Sequence, residues 1–142
     1  MRFMFLLKAS PETEAGVLPG PEVVEAMNRY NQELVSAGVL LAGEGLAPSS
    51  KGARITFQGG KSTVTDGPFA ETKELIAGFW MIQAKSLEEA VEWARRAPLD
   101  GGTVLEVRQI FETEDLGDAV PADVREAEQR MRAQVAEQQQ GR

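Results

Sequence analysis

Residues 62–85 read STVTDGPFAETKELIAGFWMIQAK, and the order of strand, turn and loop signals in this stretch decides the fold. The β-branched residues 63–65 predict a strand, which the turn-forming residues 66–69 stop. The charged residues 71–74 predict a loop, and the apolar run 78–84 predicts a strand at the centre of a sheet. A loop held between two strands of one sheet is a common place for a binding or catalytic site.

The residues on either side of this stretch predict a repeated strand–helix pattern. Residues 2–8 are apolar on both faces, which indicates a second central strand. Apolar residues at helical spacing predict a helix that begins at Pro21 and ends at Gly38. Tyr30 and Trp80 stand at periodic positions, which favours a place in the core. The other predicted elements are a strand over residues 39–46, a hairpin over 53–65, a helix that begins after Ser86 and a strand over 103–111.

The element order is strand, helix, strand, inserted hairpin, strand, helix, strand. This order predicts a ferredoxin-like α+β sandwich with its helices on one face of the sheet. Because both central strands are apolar on both faces, the second face needs a cover, and a second copy is the simplest one. We therefore predict a homodimer. A change of composition predicts a core domain over residues 1–112, followed by an acidic linker and a C-terminal helix over residues 113–142.

The composition excludes several classes of function. The chain of 142 residues carries a net charge of −7, which argues against direct nucleic-acid binding and against an anionic membrane. It contains neither cysteine nor histidine, so disulfides, thiolate chemistry and an imidazole base are excluded, and we expect no metal and no cofactor. The apolar stretch 3–7 is too short for a signal peptide, which predicts a cytoplasmic protein.

Residues 64–74, VTDGPFAETKE, resemble the signature of the DGPF proteins, a branch of the YCII-related family. Residues 37–48, AGVLLAGEGLAP, are similar to the second motif of that branch, and residues 106–108 fit its closing strand. The similarity covers residues 1–112. It implies a ferredoxin-like domain that pairs into a dimeric α+β barrel, with a small-molecule pocket between the two sheets.

The resemblance also implies two kinds of function. Many YCII proteins carry a histidine that has been proposed to pair with the motif aspartate as a catalytic dyad. Asp66 occupies the aspartate position here, but the chain has no histidine, so only acid/base chemistry without an imidazole is possible. DGPF proteins are often encoded beside extracytoplasmic-function sigma factors or joined to them. This implies an alternative role, that of an accessory protein that acts by protein contact.

Asp66 is the candidate catalytic residue, and two interpretations of it stay open. It either closes a turn or caps a helix, or its carboxylate serves a ligand or a proton transfer. Glu44 lies between two glycines in an apolar strand, where a carboxylate needs a partner or water; with Asp66 it would make a paired-carboxylate site. The candidate substrate-binding residues are all charged: Lys8, Glu44, Glu71, Lys73 and Arg108.

Overall fold

The computed structural model of the chain describes residues 1–141, which fall into two units. The first unit spans Met1–Ile110, and the second begins at Phe111. That residues 1–112 fold without the remainder stays a prediction.

The first unit contains a four-stranded antiparallel sheet in the order β2–β5–β1–β6. Its strands are β1 (Arg2–Lys8), β2 (Leu40–Gly45), β5 (Ile76–Gln83) and β6 (Leu105–Gln109). The helices are α1 (Pro11–Glu14), α2 (Pro21–Ser36) and α3 (Leu87–Arg95), and a separate hairpin consists of β3 (Ala53–Gln58) and β4 (Lys61–Asp66). This is the ferredoxin-like α+β topology, so the predicted fold class is confirmed, with β1 and β5 as the central strands.

The core lies between the sheet and the helices α2 and α3. Phe3 and Phe5 of β1 stand opposite Ile82 and Trp80 of β5, and all four side chains are buried. The other members of the core are Tyr30 and Leu34 of α2, Ala84, and Ala90 of α3. The helices therefore cover one face of the sheet, as the apolar periodicity predicts.

Tyr30 and Trp80 hold α2 against the sheet. Their rings meet edge to face, with centroids 5.6 Å apart and an interplanar angle of 88°. The Tyr30 hydroxyl donates a hydrogen bond to the carbonyl oxygen of Trp93 at 2.8 Å, which ties α2 to α3. Burial is the main reason that the pKa of Tyr30 is raised to about 12.

The other face of the sheet carries apolar side chains that neither α2 nor α3 covers. Met4 and Leu6 of β1 alternate with the buried phenylalanines, and they stand opposite Met81 and Phe79 of β5. All four side chains are partly exposed. We call these four residues the apolar stripe.

The hairpin corrects the expectation that β4 and β5 belong to one sheet. Among residues 1–141, β4 pairs only with β3, in a register that runs from Ala53 opposite Asp66 to Gln58 opposite Lys61. Gly59 and Gly60 close the hairpin with φ values of 57° and 77°, the left-handed conformation that such a turn requires. Every residue of both strands is exposed.

One helix occurs where the sequence predicts only a loop. Helix α1 begins after Ser10, whose hydroxyl accepts a hydrogen bond from the Thr13 amide at 3.2 Å. The Thr13 hydroxyl accepts one from the Ser10 amide at 2.8 Å, which completes a reciprocal cap. This serine–proline start is a helix signal that the glycines and prolines of residues 10–20 obscure.

The second unit contains a 3₁₀ segment, Thr113–Ala119, and helix α4, Ala122–Gln140. The Thr113 hydroxyl donates to a carboxylate oxygen of Glu128 at 2.8 Å, and Arg132 pairs with the same carboxylate at 2.9 Å. The Thr113 hydrogen bond and then the Arg132 hydrogen bond lower the pKa of Glu128. The large apolar residues of α4, Val124, Met131 and Val135, are exposed, and none of the residues of this helix is buried.

Across residues 1–141, no helix combines the length and the apolar character that a membrane span needs.

Candidate functional site

The turn after Asp66 is built by close packing against residues 49–52. The Gly67–Pro68 peptide bond is cis, and the Gly67 amide donates to the Gly52 carbonyl at 3.0 Å. A Cβ on Gly67 would overlap the Ser49 carbonyl oxygen and would lie 2.6 Å from the Ser49 carbonyl carbon. Only glycine therefore fits at this position of the motif.

A chain of hydrogen bonds continues from this turn to helix α1. The Phe69 amide donates to the Ser49 hydroxyl at 3.0 Å, and that hydroxyl donates to Glu14. The Ser49 amide also donates to the Glu14 carboxylate, at 3.0 Å. These two hydrogen bonds, the one from the hydroxyl first, lower the pKa of Glu14. Sequence reasoning missed both Glu14 and Ser49, because no short motif links them.

The hairpin is fixed to the same turn through Arg54. Its guanidinium lies over the Phe69 ring, 3.9 Å from the centroid. Gly67, Pro68 and Phe69 thus have a structural role, which is to anchor the base of the hairpin.

Asp66 itself contributes no side-chain hydrogen bond to this anchor. It is the last residue of β4, its side chain is exposed, and no described residue bonds to its carboxylate or pairs with it. The expected turn or capping hydrogen bond is therefore absent from the described residues.

Two of the predicted cationic residues meet at the β1–β6 edge of the open face. Lys8 and Arg108 both contact Glu106, at 3.8 Å and 3.3 Å. Lys8 is the more buried of the two, with 24% of its side chain exposed against 69% for Arg108. These three residues are called the cationic cluster, since their net charge is positive.

The remaining predicted residues do not join this cluster. Glu44 lies on β2, the opposite edge strand, with its side chain exposed. Glu71 and Lys73 are exposed at the 3₁₀ turn Thr72–Glu74, beside the end of β1, where the Ala9 amide donates to the Leu75 carbonyl at 2.9 Å. Within one chain, no contact between described residues joins Glu44 to Asp66 as a carboxylate pair.

A cleft of about 240 Å³ opens on the helix side of the sheet, between α2 and β2. Its lining includes Gly43, Gly45 and Gly78, and a Cβ at Gly45 would meet no atom within 4 Å. Asn31 lies at this cleft, and its side-chain oxygen accepts a hydrogen bond from the Trp80 indole nitrogen at 2.8 Å. Sequence reasoning missed Asn31, because one polar residue beside a helix's apolar face gives no distinctive signal.

Among the described residues, no group of three or more acidic side chains lies close enough to hold a metal ion.

Comparisons with known proteins add a family. Residues 1–114 match the family model described as YCII-related domain. An uncharacterized protein of Rhizobium meliloti (strain 1021) is 38% identical over 73 residues, which is 51% of this chain and 59% of that protein. The chain thus matches somewhat more than half the length of this relative.

The solved structure of a dehydrochlorinase aligns with the chain. It is 5-chloro-2-hydroxyhydroquinone dehydrochlorinase from Burkholderia phenoliruptrix AC1100, in complex with 2,5-dihydroxybenzoquinone. The alignment has a TM-score of 0.38 and 17% identity, and it covers 81% of this chain and 99% of that chain. Similarity at this level does not establish a common substrate or reaction.

Proposed function

This chain belongs to the YCII-related domain family, and we propose that it is a small-molecule-binding homodimer whose ligand lies between the open sheet faces of two copies. The observation that carries the proposal is the self-complementary charge of the open face. This face has a carboxylate at one edge, the cationic cluster at the other edge, and the apolar stripe between them.

In the register of the sheet, Glu44 and the cationic cluster lie at the same height along the strands. Glu44 stands opposite Phe79, Phe79 opposite Leu6, and Leu6 opposite Glu106 at the centre of the cationic cluster. A two-fold axis parallel to the strands would lay β2 of one copy across from β6 of the second. Glu44 would then face the cationic cluster of the other copy, and symmetry would repeat the pair.

The open face is too small to hold a dimer without further contacts. Seven residues of β1 span about 23 Å, and four strands span about 19 Å, which gives a footprint of roughly 440 Å². A standard interface buries about 800 Å² on each partner. A stable dimer therefore needs a second contact surface beside the open face, and the exposed hairpin can provide it.

The hairpin has the character of a docking arm for a second copy. Ile55 and Phe57 share one face with Val64, and they are 56%, 78% and 63% exposed. A lone two-stranded hairpin is only marginally stable in water, so an apolar face of this kind needs a cover. Residues 49–65 hold three basic side chains and no carboxylate. Since the whole chain has a net charge of −7, the other residues together carry a net charge of −10. A second copy supplies the matching acidic surface.

The proposed ligand site combines the charged residues at one end of the facing sheets. Lys8 and Arg108 bind acidic or polar groups of the ligand, and Glu44 of the other copy lies across from them. Glu71 and Lys73 stand near the rim. We assign Asp66 the role of the acid/base group, since its carboxylate is exposed and no described residue bonds to it.

A charge swap tests the dimer. Glu44→Lys alone and Arg108→Glu alone should each weaken self-association by on the order of tenfold, because exposed ion pairs are worth about 0.2–1 kcal/mol and occur twice in the dimer. The double variant should recover most of the loss. Glu25→Lys on the exposed part of α2 is the matched control, and it should associate like the wild type. Single variants that match this control would contradict the proposal.

An isosteric change tests the ligand site. Native mass spectrometry of protein purified from cells should show a retained small molecule on the wild-type dimer. Asp66→Asn should remain dimeric and lose that molecule, since asparagine keeps the shape of aspartate without its charge. Retention of the same molecule by Asp66→Asn would exclude the proposed role.

The exposed hairpin also favours a second candidate function, an accessory protein that acts through contact with another protein such as a sigma factor. In that case Phe57→Ser would leave the dimer intact, and purified sigma factor would bind the wild type but not this variant. Loss of self-association in Phe57→Ser, with Phe111→Ser unchanged, would favour the homodimer instead. Phe111 is 74% exposed, which makes it a matched control.

A further inference from the structure

We propose that the helix-side cleft is a second binding site, and that it takes a small neutral aromatic molecule with a carbonyl group. The cleft lies between α2 and β2 and is lined by residues of one chain. It opens on the side of the sheet that carries the helices, whereas the inter-sheet site uses the open face. The two proposals can therefore fail independently.

Asn31 provides the polar anchor of the cleft. The Trp80 indole nitrogen is a hydrogen-bond donor only, so the oxygen of the Asn31 amide must face it, and the 2.8 Å contact fixes this orientation. The Asn31 NH₂ group then points elsewhere, and no described residue accepts a hydrogen bond from it. A ligand acceptor such as a carbonyl oxygen satisfies that donor.

The edge of β2 supplies further backbone groups. The Leu46 amide donates to the Ala77 carbonyl at 2.8 Å, so hydrogen-bonded pairs recur at every second residue, and Gly43 and Gly45 fall between them. Since β2 is an edge strand, the amide and carbonyl groups of these two glycines point away from the sheet. They offer a donor and an acceptor at the margin of the cleft.

The walls of the cleft favour a flat ring. Met27 and Leu7 line it together with the ring of Trp80. Methionine and aromatic side chains pack well against aromatic ligands. On the β2 side, Gly45 leaves open space, because a Cβ at this position would meet no atom within 4 Å. The backbone there allows a planar group to approach closely.

The volume of the cleft and the charge of the chain restrict the class of ligand further. A volume of about 240 Å³ corresponds to roughly eight water molecules at ~30 Å³ each, which suits a molecule of about eight to ten non-hydrogen atoms. The chain has a net charge of −7, so an anion is disfavoured. The free donor of Asn31 disfavours a cation. A neutral aromatic carboxamide or ketone meets all of these conditions.

The test uses benzamide and benzoate as probes of the wild-type protein in ¹H–¹⁵N spectra. Benzamide should shift the Trp80 indole signal and the Asn31 side-chain amide signals saturably, with a dissociation constant on the order of 1 mM for so small a ligand. Benzoate should bind more weakly. The Trp93 indole is the internal control, since Trp93 does not line the cleft.

Two variants locate the binding. Asn31→Asp keeps an oxygen for Trp80 but removes the NH₂ donor, so the dissociation constant should rise about tenfold. Gly45→Val places a side chain in the open space, where its Cβ would meet no atom within 4 Å, and it should abolish binding. Thr63→Val, an exposed change on the hairpin, is the matched control and should bind like the wild type. Thermal unfolding establishes that each variant is folded.

The proposal is overturned if benzamide gives no saturable shift, or if a folded Asn31→Asp or Gly45→Val protein binds it like the wild type. Binding that persists in a monomeric Arg108→Glu protein would support the cleft even where the inter-sheet site fails. Loss of benzamide binding in Gly45→Val, with self-association unchanged, would support the cleft separately from the dimer.

Discussion

Gly67→Ala should destabilise the first unit strongly, because the turn over residues 49–52 occupies the place of the new methyl group. A Cβ there would overlap the Ser49 carbonyl oxygen and would lie 2.6 Å from the Ser49 carbonyl carbon. Backbone atoms cannot rotate aside as a flexible side chain does. The two segments must separate, and both hydrogen bonds between them lengthen or break.

The size of the effect follows from these contacts. The Gly67–Gly52 and Phe69–Ser49 hydrogen bonds, each 3.0 Å, contribute about 1 kcal/mol apiece. Overpacking adds about 1–3 kcal/mol before relaxation. We expect the free energy of unfolding to fall by about 3 kcal/mol, which lowers the Tm by roughly 6–12 °C at this chain length.

Thermal unfolding followed by circular dichroism measures this change. Gly45→Ala is the matched control, since its Cβ would meet no atom within 4 Å. It should shift the Tm by at most a few degrees. Equal Tm values for the two variants would refute the idea that close packing at Ser49 requires glycine in the motif.

Three further predictions concern Glu14, Tyr30 and the second unit. The hydrogen bonds from Ser49 lower the pKa of Glu14, so their stabilisation is present above the ordinary glutamate value of 4.5 and is lost as pH falls. Glu14→Gln should therefore make the Tm fall less steeply on the acid side of a plot of Tm against pH. An unchanged acid side of this plot would contradict the prediction. Tyr30 is the chain's one tyrosine, so an absorbance titration reports on this residue alone. Because its pKa is about 12, the stability that the neutral hydroxyl gives the fold is fully present below pH 10 and is lost as pH rises through 12. A titration midpoint near 10 would contradict the burial argument. Truncation after Glu112 should leave a protein that unfolds cooperatively, and loss of the transition would show that the second unit is needed for folding.

The fold was predictable because the apolar periodicity agrees with the turn and helix-end signals along most of the first unit. Apolar residues on both faces of residues 2–8 and 78–84 identified β1 and β5 as central strands, and the helix signals at Pro21 and Ser86 identified α2 and α3. The hairpin's pairing partner was not predictable in the same way. Its alternation is the same for a strand of the main sheet and for a separate ribbon, and only the turn at Gly67 separates the two cases.

The candidate site was predictable only in part. Charged residues at strand positions pointed to Lys8 and Arg108, and the structure brings both to Glu106. Asp66 was selected from a motif, yet the shape of its turn depends on Ser49, a residue 17 positions away along the chain. The Asn31–Trp80 pair also joins residues from distant parts of the sequence. Contacts of this kind follow from tertiary packing, which local patterns do not encode.

Sedimentation equilibrium of the wild-type protein at micromolar concentration tests the central claim most directly. We expect a species of twice the 15.4 kDa chain mass, because the proposed dimer pairs the open sheet faces of two copies. A single species of 15.4 kDa across the concentration range would contradict the homodimer and, with it, the inter-sheet site.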